Sequence, residues 1–215
     1  TYTEVGTLVR SQATDASVTV SAASSAGTYH NAATIATATA EGCTYYLGYK
    51  LGSAATADGQ ITWANANTAL SLSASAAAGT YYIYKKWTAD SNHSNNGTYT
   101  EVGTLVRSQA TDASVSVTVS SAGTYNNAAT LVAKGNSSSH GTSAASIGYK
   151  YGAAATADNQ ITWVSVGTAL TLPASAAAGT YYIYKKWTAD SNHSNSSNYT
   201  QVTTLTRSKD SGKVS

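Results

Sequence analysis

Thr80-Tyr81-Tyr82-Ile83-Tyr84-Lys85-Lys86-Trp87-Thr88 is the stretch that decides the fold class. Its side chains alternate, with Tyr81, Ile83 and Trp87 on one side and Tyr82, Tyr84 and Lys86 on the other. A period of two is that of a β-strand, whereas a helix would bring its apolar residues round every three to four positions. Aromatic and β-branched residues also suit a pleated surface. Ala76-Ala77-Ala78-Gly79 precedes the stretch and Asp90-Ser91-Asn92-His93-Ser94 follows it, so small and turn-forming residues bound it on both sides. The same residues return unchanged at 180–188.

The duplication extends over the whole chain. Residues 76–95 recur as 176–195, and 1–15 recur as 98–112. Between them Gly48-Tyr49-Lys50 matches Gly148-Tyr149-Lys150, and Gln60-Ile61-Thr62-Trp63 matches Gln160-Ile161-Thr162-Trp163. The second copy is shorter by one residue near Ser25 and longer near residues 135–140. Length changes that fall in Gly, Asn and Ser stretches mark those stretches as loops. Residues 199–207 match the closing segment 99–107, and residues 1–10 match it again. The expected organisation is therefore a closing strand of a preceding unit at 1–10, units at 11–107 and 108–208, and a following unit or linker opening at 209–215.

Within the first unit, alternating runs fall at 17–21, 34–39, 44–50, 60–63, 69–72, 80–88 and 99–107, separated by Gly, Asn, Asp and Ser turns. About seven short strands in about 100 residues predict an all-β fold: two tandem immunoglobulin-like β-sandwiches. The alanines at 74–78 are too few before Gly79 to make a helix and read as a loop.

Composition narrows the function. Charged residues are 10% of the chain and the formal net charge is +2, with no cluster of bases larger than Lys85-Lys86. Binding to nucleic acid needs clustered Lys and Arg, so no nucleic-acid partner is expected. No apolar run approaches the roughly 18 residues of a membrane-spanning helix, so no membrane insertion is expected. The single cysteine, Cys43, rules out a disulfide within the chain. No Gly-x-Ser-x-Gly turn, no histidine set beside an orienting acid for nucleophilic chemistry and no pair of carboxylates for glycoside chemistry stands out. The expectation is a protein that is not an enzyme and needs no cofactor.

A family resemblance rests on these same segments. Each unit has, in order, a Tyr-x-Asn-Ala or Tyr-Asn-Asn-Ala turn (Tyr29 to Ala32, Tyr125 to Ala128) and a Gly-Tyr-Lys strand. Ile-Thr-Trp, the Ala-Gly-Thr-Tyr-Tyr-Ile-Tyr-Lys-Lys-Trp-Thr-Ala-Asp-Ser-Asn-His run and a closing Tyr-Thr-x-Val-x-Thr-Leu strand follow. The chain resembles the bacterial Ig-like repeats of large cell-surface proteins, also seen in some phage virion proteins. The resemblance covers both units, and its departures are His30 in the early turn and the absence of Phe. It implies an extracellular, cell-surface or virion-surface location. It also implies a structural role as spacer, stalk or filament subunit, with neighbouring repeats of the same protein, or other copies in a fibre, as partners. The family carries no catalytic residues. Some members are adhesins, which gives the alternative of glycans or host surface proteins as ligands.

Three sets of residues are candidates for such roles. Tyr82, Tyr84 and Lys86, with Tyr182, Tyr184 and Lys186, lie on the outward side of the alternating strand, where tyrosines can stack on sugars or on a protein surface. The bland alternative is cross-strand packing against neighbours such as Tyr46, worth about 0.2–1 kcal/mol per pair. Asn-x-Ser/Thr acceptors for glycosylation stand at Asn92, Asn96, Asn136, Asn192, Asn195 and Asn198. Residues 1–10 alternate well enough to pair with a sheet edge of another molecule, with Tyr2, Val5 and Leu8 as the donated side chains. Asp90 with His93, and Asp190 with His193, supply two donors where a metal site needs about three or four. Calcium held by Asp90 with Asp15 or Asp112 would be the best-matched version, but turn formation accounts for these loops and no metal ligand is assigned.

Overall fold

The alternating stretch at Thr80 lies inside a four-stranded antiparallel sheet. The structure is a computed structural model that describes residues 1–133 and 141–212. It divides into two units, the first ending at Ser108 and the second starting at Gln109. Unit 1 has seven strands: β1 (Ser17–Ala22), β2 (Ala33–Glu41), β3 (Cys43–Leu51), β4 (Thr62–Trp63), β5 (Leu70–Leu72), β6 (Gly79–Ala89) and β7 (Gly97–Arg107). One sheet has the order β1-β2-β5 and the other β4-β3-β6-β7. A single 3-10 turn, Asp58–Gln60, leads into β4, and the alanines before Gly79 form no helix.

Unit 2 repeats the plan with β8 (Ala129–Val132), β9 (Thr142–Tyr151), β10 (Thr162–Ser165), β11 (Leu170–Leu172), β12 (Gly179–Ala189) and β13 (Ser197–Arg207). Its sheets have the orders β10-β9-β12-β13 and β11-β8. Val115 is buried, with Val117 and Val119 half-buried, the alternation that Val18 and Val20 show in β1. The chain is thus all-β, in two β-sandwich units.

The alternating pattern explains where the core sits. Val18, Ile35, Leu70 and Leu72 from one sheet of unit 1 meet Leu47, Tyr81, Ile83 and Leu105 from the other. The corresponding cluster in unit 2 contains Val115, Leu131, Ile147, Leu170, Leu172, Tyr181 and Ile183. Burying each such aliphatic side chain stabilises by about 1.5–3 kcal/mol, which is how a chain without Phe or Met fills two small cores. Lys85 also falls on the inward side. It lies near the rim, where its Nζ donates to the Val18 carbonyl at 2.8 Å and stands 5.6 Å from the centre of the Trp87 ring.

β7 carries a bulge that alternation alone does not foretell. Ile83 pairs with Gly103 but Tyr84 pairs with Glu101, so Val102 is the extra residue. Without it, Glu101 and Tyr99 would share the inward side with Leu105. The bulge turns both outward and lets Val102 lean on the core. β13 has the same shift, with Val202 extra between Thr203 and Gln201.

Ser108 is the last residue of the first compact unit. Ser108 N–H donates to the Gly27 carbonyl at 2.8 Å, and its own carbonyl accepts from Tyr29 N–H at 2.9 Å, so Ser108 belongs to unit 1. Residues 1–10 form no strand and are exposed along their length.

Candidate functional site

The outer face of β6 is closed against the protein itself. Tyr84 and Tyr184 were expected to face solvent, but each is only 2% exposed. Alternation places Tyr84 on the outer side of the sheet correctly. The loop between β3 and β4, however, folds back over that side, and Ala55 N–H donates to the Tyr84 hydroxyl at 2.6 Å. Tyr99, turned outward by the bulge, packs edge-on against the Tyr84 ring at 6.2 Å. Tyr184 does the same with Ala155 N–H at 2.6 Å and Tyr199 at 5.9 Å. Outward from a sheet is thus not outward from the protein.

Lys86 remains half-buried on that face with its charge engaged. Its Nζ donates to both carboxylate oxygens of Asp58, at 3.0 and 3.1 Å, and sits 4.3 Å above the Trp63 ring. Lys186 repeats this with Asp158 at 3.0 Å and Trp163 at 4.3 Å. Tyr82 and Tyr182 are half-buried, between Lys50 and Thr104 and between Lys150 and Thr204 respectively. The two units differ here at several positions, including Tyr45 and Tyr46 of unit 1, which are Ala145 and Ser146 in unit 2. Tyr46 stands 5.9 Å from Lys86 in unit 1, and unit 2 has Ser146 in its place, where an open depression is lined by Ser146, Asp158, Lys186, Trp187, Asn198 and Tyr199.

A second feature, absent from the expectations, is an arginine socket. Arg107 ends β7 and is 1% exposed, and its guanidinium is held by backbone carbonyls. Its Nε donates to the Ala76 carbonyl at 2.9 Å and one terminal nitrogen to Ala26 at 2.9 Å. The other terminal nitrogen reaches the carbonyls of Asn31 (2.8 Å), Ser73 (3.1 Å) and Ala74 (3.3 Å). Arg207 fills the matching socket of Ala176, Ala122, Asn127, Pro173 and Ala174. A guanidinium has five N–H donors in a fixed fork, so it can satisfy carbonyls from two loops at once, where a lysine ammonium could not span them. The one sequence signal was an arginine at the same place in every closing segment: Arg10, Arg107 and Arg207.

The Asp-Ser-Asn-His loop proves to be a clamp for the start of its own unit. Ala13 N–H donates to the Asn92 carbonyl at 2.8 Å, and Ser94 N–H to the Ala13 carbonyl at 2.9 Å. Gln12 Nε2 reaches the Ser91 carbonyl at 2.8 Å. Asn95 holds both sides of the Ala16 peptide, its Oδ1 accepting at 3.0 Å and its Nδ2 donating at 2.7 Å. His93 closes the clamp, with Nδ1 2.6 Å from Asp90 and Nε2 3.3 Å from Asp15. Its ring lies where a Cβ on Gly42 would be 2.5 Å away, so the turn between β2 and β3 needs glycine both for this contact and for its φ of +63°. The bond from Asp90 holds the His93 imidazole above its ordinary value and lowers the Asp90 carboxyl in return. Asp15 and Asp90 thus face one imidazole.

In unit 2, Ala110, Ala113 and Gln109 meet Asn192, Asn195 and Ser191 in the same way. There, His193 lies 2.7 Å from Asp190 and 3.1 Å from Asp112.

One glycosylation candidate is part of the clamp. Asn195 holds Ala113 with both amide atoms and is half-buried, so its nitrogen is occupied in the folded chain. Asn92, Asn96 and Asn198 are exposed, and Asn192 is half-buried. Asn136 lies outside the described residues. Tyr2, Val5 and Leu8 are fully exposed, and among the described residues no strand lies beside them. No protein-family model matches the chain, and no curated protein matches it.

Proposed function

We propose that the chain is a non-catalytic structural module, a pair of Ig-like repeats that extend an extracellular surface or filament protein and carry tension along it. The observation that supports this reading is how the backbone enters and leaves each unit. In unit 1 it enters at Ala13, bridged in parallel to His93, and leaves at Ser108, bridged in parallel to Thr28. Unit 2 has the equivalent bridges, Ala110 to His193 and Thr124 to Ser208. A pull on the chain ends loads parallel neighbours in shear, so their hydrogen bonds must break together; an antiparallel pair would unzip one bond at a time. Ser108 is held by unit 1 and Gln109, through its side chain, by unit 2, so no unanchored residue separates them. The resemblance to bacterial surface repeats supports the same role and gives its expected location, outside a cell or on a virion.

An adhesive role is the second reading, and one observation favours it: the polar depression beside Trp187 and Tyr199 that Ser146 leaves open in unit 2. Asp158, Lys186 and Asn198 there could meet sugar hydroxyls. Screening the intact chain against a glycan array and extracellular host proteins separates the two. The spacer reading expects no saturable binding. Saturable binding abolished by Asn198→Ala or by Ser146→Tyr would overturn it in favour of adhesion.

A further inference from the structure

The closing strand of each unit sits in a seat that residues 1–10 are equipped to occupy. β7 and β13 are edge strands, each paired with one neighbour only, β6 or β12. The seat uses four side chains of β7. Leu105 is buried opposite Tyr81, Val102 leans on the core, Tyr99 packs on Tyr84, and Arg107 fills the carbonyl socket. In β13 the same places are held by Leu205, Val202, Tyr199 and Arg207. Residues 1–10 repeat β7 from Thr98 to Arg107 without a change, so Tyr2, Val5, Leu8 and Arg10 are its four functional side chains in register. β6 and β12 are identical too, so a strand that fits one fits the other.

We infer that residues 1–10 are a donor strand that closes unit 2 of a second copy of this chain when that copy's own closing strand is displaced, with Arg10 entering the socket that Arg207 otherwise fills. Tyr2, Val5, Leu8 and Val9 are between 89% and 107% exposed. Four large apolar residues in one ten-residue segment make a surface that gains by being covered. Glu4 and Thr7 bond only to each other, leaving the segment's own edge open to pairing. Competition is the governing physics. The resident strand is tethered at an effective concentration near the millimolar range, so equal strands exchange rarely at micromolar protein. The donated strand wins where the resident strand is weakened, and then each molecule donates to the next and an open chain grows. A preceding unit, where one exists, would be closed by the same ten residues through the same contacts. This inference stands apart from the spacer reading, which concerns single chains under tension.

The test weakens the resident strand and leaves the donor intact. Full-length Arg207→Ala protein, refolded over a concentration series, is followed by light scattering beside the Arg207→Ala/Arg10→Ala double variant. The expected result is oligomers that grow with concentration in the single variant. The double variant should need about tenfold more protein to reach the same mass, since hydrogen bonds from a charged donor are lost. A register check guards against non-specific aggregation of a poorly folded unit 2. Thr104 and Thr204 lie opposite Tyr82 and Tyr182, so Thr7 should take that place. With Cys43→Ser throughout, a Thr7→Cys chain mixed with an Arg207→Ala/Tyr182→Cys chain should form a disulfide-linked pair, and a Thr1→Cys chain should not. A monomeric single variant, oligomers indifferent to Arg10→Ala, or cross-linking equal from Thr1→Cys would each overturn the inference.

Discussion

Arg107 and His93 tie the ends of unit 1 together by different chemistry, and each makes a prediction at its own scale. Removing the Arg107 side chain leaves several buried carbonyls unsatisfied around a cavity. Arg107→Ala should therefore destabilise unit 1 by about 3 kcal/mol, and Arg107→Lys should recover only part of it. Chemical denaturation of the full chain, followed by hydrogen exchange at unit 1 core amides, reads this directly. His93 predicts a pH dependence whose sign follows from its neighbours, Asp15, Asp90 and the carboxylate of Glu41. Its pKa is raised in the folded state, so its contribution is complete below the unfolded value and fades as pH rises through the folded one. Asp90 is lowered, so its contribution holds above the unfolded carboxylate value and is lost as pH falls through the folded one. The clamp is tightest between these limits. Protection of the Ala13 and Ser94 amides, taken relative to their intrinsic exchange rates, should fall on both the alkaline and the acid side, and His93→Gln should flatten the alkaline limb. The sequence made the Asp-Ser-Asn-His loop visible as a turn but not as a clamp, because its partner, Gln12 to Ala16, lies some eighty residues away.

At the scale of the strand, period two read the inward side well and the outward side poorly. Tyr81, Ile83, Leu47 and Tyr45 are where alternation puts them. Tyr84 is on the expected side of the sheet and still buried, because the fold of a loop over a sheet is a tertiary event with no local signature. Its hydroxyl accepts the Ala55 backbone N–H, so Tyr84→Phe should cost about 1 kcal/mol while Tyr82→Phe costs close to nothing. Urea titration of the two variants distinguishes them. The bulge at Val102 was equally hidden, since an extra residue shows only when the partner strand is known. Deleting Val102 should leave Glu101 outward, opposite Tyr84, but remove the Val102 side chain from the core and destabilise unit 1 by about 1–3 kcal/mol. A deletion variant that melts with the parent protein would contradict that assignment of the bulge.

For the molecule as a whole, the repeat was the most legible feature, because identity between copies needs no physical model to detect. It showed that the chain holds two like units, but not that Ser108 is fastened back to Gly27 and Tyr29. What the repeat could not convey is why the joint residues recur. Residues 12–16 and 90–95 recur together because they are the two halves of one clamp, and Arg107 recurs because it locks the strand that leads out. Each unit is therefore a link fastened at entry and exit. Stretching a single full-length chain from its two ends is the most direct measurement of that claim. Two discrete unfolding steps are expected, each releasing about 30 nm of chain for a unit of this length. Asn95→Ala should lower the force of one step and leave the other unchanged. Gradual extension without steps, or two steps indifferent to Asn95→Ala, would contradict the account.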